Sequence, residues 1–121
     1  MIRVGVAVAT ILLIAAPSAY AATDTVAPSA PANLREAAAK ASGQVLTWDA
    51  STDNSGVISY YRVLVNGAQA YRPRETSVSL DDLVRYQHVL PGQTYTVAIQ
   101  AVDPSGNRSA SSNSMRVTIP S

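Results

Sequence analysis

The chain has 121 residues, with nine Lys and Arg, eight Asp and Glu, one His and no Cys, and a formal net charge of +1 at pH 7. This is room for a single domain, and so small a charge with no basic stripe excludes partners that need concentrated positive charge, nucleic acid and anionic membrane among them. Without cysteine there is no disulfide framework, and stability must come from an apolar core.

Met1-Ile2-Arg3 is a short basic start, Val4 to Ala16 an apolar run, and Ala19-Tyr20-Ala21 supplies small residues at the two positions a signal peptidase reads. These are the parts of a secretory signal peptide over residues 1–21, with cleavage expected after Ala21 and an extracellular product. The run is shorter than the ~20 residues that span a bilayer, so no membrane span is expected after cleavage. Loss of Arg3 leaves eight charges of each sign.

Residues 22–31, rich in Pro, Ala and Thr, read as an extended lead-in to a domain over residues 32–120. Leu34 to Ala39 is a first strand by context, since its alanines suit a helix equally well. Gln44 to Asp49 alternates with Leu46 and Trp48 inward, and Asp49 to Gly56 is a polar loop. Val57 to Val65 predicts a third strand burying Tyr61, Val63 and Val65, closed by a tight turn at Asn66-Gly67. Ala68 to Tyr71 returns along an edge that Pro73 ends. Thr76 to Leu80 alternates through Val78 and Leu80. After Pro91-Gly92, strict alternation sets Tyr95, Val97, Ile99 and Ala101 on one face. Asp103 to Asn107 is a turn cluster, and Met115, Val117 and Ile119 form the last strand before Pro120. Seven short, evenly spaced strands predict an all-β, immunoglobulin-like, seven-stranded antiparallel β-sandwich. A tyrosine placed as Tyr95 is, just after a Pro-Gly turn, is expected to donate its hydroxyl to the upstream backbone as a tyrosine corner.

Three motifs carry a family resemblance. Leu46-Thr47-Trp48-Asp49, then Ser59-Tyr60-Tyr61-Arg62-Val63 with Asn66-Gly67, then Leu90-Pro91-Gly92 with Tyr95 and Ala101-Val102-Asp103, stand in order and spacing. Over Ala27 to Pro120 the chain resembles a fibronectin type III domain, and its Asp53-Asn54 and Asp103–Asn107 loops resemble bacterial members. The resemblance implies a spacer or accessory module such as accompanies exported polysaccharide-degrading enzymes. Two departures stand out. Val84 to Val89 looks like an insertion of about six residues, which a surface loop tolerates. No Arg-Gly-Asp is present, so integrin adhesion by that tripeptide is not implied.

The chemical inventory is poor. His88 is the only histidine, and no serine sits in a nucleophile elbow. Asp81 and Asp82, read as strand residues, point to opposite faces and cannot flank one bond. No catalytic residue and no cofactor are assigned. The lead-in and the loops of Asp53 and Asp103 share one end of such a sandwich, so Asp24, Asp53 and Asp103 can approach. A calcium ion is one reading; the preferred one is that each caps its own turn, and no metal site is assigned. Trp48, Tyr61 and Tyr95 are core rings, while Tyr60, Tyr71 and Tyr86 fall at outward, edge or loop positions and are the binding candidates. Asn107-Arg108-Ser109 matches the N-glycosylation pattern. The function expected is a secreted, non-catalytic binding or spacer module acting through protein or cell-surface contacts. The alternative is a carbohydrate-contacting accessory module of extracellular polysaccharide degradation, associated with a glycosidase.

Overall fold

The computed structural model describes residues 24–38, 44–86 and 89–121. The expected signal peptide with its cleavage point, and His88, lie outside the described residues. Among the described residues, seven strands form in chain order: β1 (Ala32–Ala38), β2 (Gln44–Asp49), β3 (Tyr60–Val65), β4 (Ala68–Tyr71), β5 (Ser77–Ser79), β6 (Thr94–Val102) and β7 (Met115–Thr118), with a short helix α1 (Leu80–Arg85) after β5. They make a three-stranded sheet, β1-β2-β5, and a four-stranded sheet, β4-β3-β6-β7. All the pairings are antiparallel.

Alternation explains the core. Leu46 and Trp48 from β2 face Tyr61 and Val63 from β3 and Val97, Ile99 and Ala101 from β6, all buried. The Trp48 and Tyr61 rings meet edge-on, centroids 5.5 Å apart and planes at 68°, an arrangement the ring quadrupoles favour. Tyr95 packs at the margin of this cluster. Its hydroxyl accepts the Leu90 N–H at 2.9 Å, so the tyrosine corner is present with the hydrogen bond running opposite to the expected sense. Asn66 (φ 51°) and Gly67 (φ 85°) turn β3 into β4, as a two-residue hairpin loop with positive φ at both positions requires. Asn66 Oδ1 also accepts the Thr96 N–H at 2.9 Å, tying that turn to β6.

The largest departure from expectation lies after Val78. The strand stops at Ser79, whose side chain caps α1 by accepting the Asp82 N–H at 3.0 Å. Leu80 and Leu83, three residues apart, are 1% and 0% exposed and anchor the helix on the core. Asp81 and Asp82 therefore occupy a helical first turn, favoured there by the helix dipole, and are not opposed strand residues. Much of the supposed insertion is thereby structured: Val84 packs against the core and Val89 is buried within it.

Candidate functional site

Two regions gather the side chains capable of recognition. The first lies along the β4 edge. Tyr71 is opposite Val63 in the β3–β4 register, so both project to the core side of the four-stranded sheet. Tyr71 sits where that side opens to solvent, and Tyr86, the residue that ends α1, is laid against it. Their centroids are 5.9 Å apart and their planes 19° from parallel, with Tyr86 54% exposed. Burial pushes the Tyr71 hydroxyl up from its ordinary value, helped by the negative charge of Asp82, by Tyr86 and by Glu75. A ring pair bordered by carboxylates thus stands at the rim of the sandwich.

Tyr60 is elsewhere. It pairs with Val102, two places from the Arg62–Gln100 pair, on the outer face of the same sheet. The Arg72 guanidinium lies 5.2 Å from its ring centroid, and Ser59, Arg72 and Arg74 complete a shallow polar groove of about 300 Å³. Of the three candidate tyrosines, then, two meet and the third is on the opposite face.

The second region is the end of the sandwich where the lead-in passes the β2–β3 loop and the turn after β6. Here Asp24, Asp53 and Asp103 converge, each offering a carboxylate oxygen within 4.8 Å of the others. Asp103 is 1% exposed. Burial raises its carboxyl, but the side chain and backbone of Asn107, with Asp24 and the Ser105 N–H, outweigh this and hold it below the ordinary range. Asn107 Nδ2 donates to Asp103 Oδ2 at 2.8 Å and to the Asp24 carbonyl at 3.0 Å. That amide is occupied inside the structure and Ser109 is buried, so the Asn107-Arg108-Ser109 pattern does not present itself as a glycan acceptor.

Sequence reasoning missed the polar stitching beyond β6. Ser109 Oγ accepts the Ala101 N–H at 2.8 Å, and Ser112 Oγ accepts the Ile99 N–H at 2.9 Å, so two hydroxyls stand in for ladder carbonyls. Asn113 bonds both backbone groups of Leu34, at 2.9 Å and 3.1 Å, bridging the two sheets. Serine and asparagine in a loop carry no periodic signal that would reveal these roles.

Two antiparallel sheets packed on one core, with a tyrosine corner at the start of β6, define an immunoglobulin-like β-sandwich. The family description of the fibronectin type III domain matches residues 29–118, and the chain belongs to that family. It is 40% identical over 96 residues to chitinase A1 of Niallia circulans, a match covering 78% of this chain and 13% of the relative. It is 36% identical over 95 residues to chitinase Chi52 of Paenibacillus xylanexedens, covering 78% of this chain and 17% of that protein. The chain thus spans less than a fifth of the length of either relative. The solved structure of FN3tt mut agrees in fold, with a TM-score of 0.51 at 18% identity over 77% of this chain and 97% of that one. Among the described residues no helix is long and apolar enough to cross a membrane.

Proposed function

We propose that this chain is an exported, non-catalytic accessory module of extracellular polysaccharide degradation, and that Tyr71 and Tyr86 form its sugar-contacting surface. The observation that carries the reading is the 40% identity over 96 residues to a chitinase. The signal-peptide pattern of residues 1–21 supports export. The paired rings support the contact: an exposed aromatic face takes the C–H face of a pyranose, and Tyr86 is 54% exposed. Catalysis is left to a separate domain. The acidic pair closest in sequence, Asp81 and Asp82, lies side by side on one helical turn, which cannot straddle a glycosidic bond.

The test is retention of the secreted chain on insoluble chitin, cellulose and peptidoglycan. Saturable retention that falls at least tenfold in Tyr86→Ala, and survives in Tyr60→Ala on the opposite face, is expected. Retention on none of the polymers would sink the sugar contact. A second reading, contact with another protein, draws on Val26 and Val57, 55% and 53% exposed at the end where the lead-in meets the β2–β3 loop.

A further inference from the structure

The end of the sandwich where the lead-in meets the β2–β3 loop and the turn after β6 holds an unresolved charge problem. Each of the three converging carboxylates is fixed by local donors. Asp24 Oδ1 accepts from the Val26 N–H at 2.9 Å and from Asn54 Nδ2 at 3.2 Å. Asp53 Oδ2 accepts from the N–H and hydroxyl of Ser55, at 3.1 Å and 2.6 Å. Asp103 Oδ1 accepts from the Ser105 and Asn107 N–H groups, at 2.9 Å and 2.8 Å. Turn capping, the reading preferred from the sequence, therefore accounts for one oxygen of each residue.

Asn107 Nδ2 satisfies Asp103 Oδ2 as well, which leaves two oxygens unexplained. Asp24 Oδ2 and Asp53 Oδ1 are both buried from solvent with no hydrogen-bond partner. A buried acceptor without a donor is rare in a native structure and requires an explanation. Here the two orphaned oxygens belong to carboxylates gathered around a third that is itself 1% exposed. Among the described residues the ion pairs are Arg35–Asp49 and Arg85–Asp82, so no basic side chain neutralises the cluster. Like charges this close in a partly desolvated setting repel strongly unless a cation or a shared proton lies among them.

We propose that Asp24, Asp53 and Asp103 form a calcium site that clamps the lead-in to the sandwich. The donor set is hard oxygen alone, with neither histidine nor cysteine, which selects calcium or magnesium over transition metals. Ligand oxygens up to 4.8 Å apart are spanned by an ion with bonds of about 2.3–2.6 Å, as calcium has. Magnesium, at about 2.0–2.1 Å, would need the wider separations to contract. Water completes the coordination, and few protein ligands with open positions suit a dissociation constant of about 10⁻⁴ to 10⁻³ M, the range of extracellular modules. The clamp joins three separate parts of the chain. Asp24 precedes the family match at residue 29, and the ion fixes the direction in which the lead-in leaves the domain. Protein bonds already aim it: Ser29 N–H to the Thr52 carbonyl at 2.8 Å, and Asn107 Nδ2 to the Asp24 carbonyl at 3.0 Å. The site rests on this geometry and is independent of the sugar contact.

The experiment is thermal unfolding of the full secreted chain, stripped with EDTA and dialysed, then returned to calcium chloride or magnesium chloride alone, with titration calorimetry beside it. Calcium at 10 mM is expected to raise Tm by about 5–10 °C. The shift should vanish in Asp24→Asn and Asp53→Asn, and persist in Asp49→Asn, whose carboxylate lies outside the cluster. Metal-free Asp53→Asn should melt no lower than the metal-free parent, because asparagine keeps the oxygen that caps Ser55 and removes one repelling charge. Absence of a calcium-dependent shift and heat in the parent chain would overturn the proposal, leaving a shared proton to relieve the repulsion. Retention of the full shift in both variants would overturn it equally, and an equal response to magnesium would overturn the choice of ion.

Discussion

The hydroxyl of Tyr61 accepts the backbone N–H of Ser51 at 3.0 Å, deep in the protein, and so ties a core ring to the loop that carries Asp53. The same type of bond, from Leu90 N–H to Tyr95 at 2.9 Å, lies beside solvent, with Leu90 63% exposed. Removing the two hydroxyls should therefore have unequal consequences. Tyr61→Phe leaves the N–H of Ser51, a residue 7% exposed, without a partner and should cost about 1–3 kcal/mol. Tyr95→Phe lets water take over and should cost about 0.5–1.5 kcal/mol. Urea unfolding of both variants checks this, and equal losses would contradict the contrast in burial.

Leu83 tests whether α1 belongs to the core. Its side chain is 0% exposed, so Leu83→Ala should cost about 2–5 kcal/mol, as for other large-to-small core changes. Ser79→Ala, which removes only the helix cap, should cost about 1 kcal/mol. Were Leu83→Ala to cost no more than Ser79→Ala, the segment would be surface ornament. Denaturant midpoints at unchanged slope give both values.

The pH dependence has two arms. The hydrogen bonds from Asn33 and Arg35 to Asp49, together with the Arg35 charge, outweigh desolvation and hold its carboxyl below the ordinary 3.8. Its contribution is thus present above pH 3.8 and lost as pH falls through the lower, folded value. Tyr71 is raised above 10.0 by burial first, then by Asp82, Tyr86 and Glu75. The fold prefers it neutral, so that contribution is present below pH 10.0 and disappears as pH climbs past the folded value. Asp49→Asn should lessen the acid arm of Tm against pH, with the part due to Asp103 remaining, and Tyr71→Phe should flatten the alkaline arm, each leaving the other arm intact.

Much of the architecture is local and therefore legible. The bounds of β2 and β4 match the alternation and turn signals of the sequence, and Trp48, Tyr61, Val63, Val97 and Ile99 are buried as their spacing implies. Regular β3 pairing starts at Tyr60, after the expected Val57, because the segment between is still leaving the β2–β3 loop. The helix was hidden for a different reason. Six residues are too few to show a helical period, and Val78 and Leu80 alternate as well as any strand. The one local sign was Ser79 three places before Asp82, a cap-and-acid spacing.

Alternation and turn chemistry, properties of neighbouring residues, were enough to determine the sandwich and the burial of Trp48 and Tyr61, while Tyr95, expected in the core, sits at its margin. Which outward side chains meet was decided only in three dimensions. Sheet register sent Tyr60 to one face and Tyr71 to the other, and the helix end then delivered Tyr86 to Tyr71. The sequence allowed Asp24, Asp53 and Asp103 to approach; loop conformation brought their oxygens within 4.8 Å and left two of them buried without donors. Burial of an apolar face is set by the strand that carries it. A distance between side chains from separate loops depends on the twist and register of every strand between them.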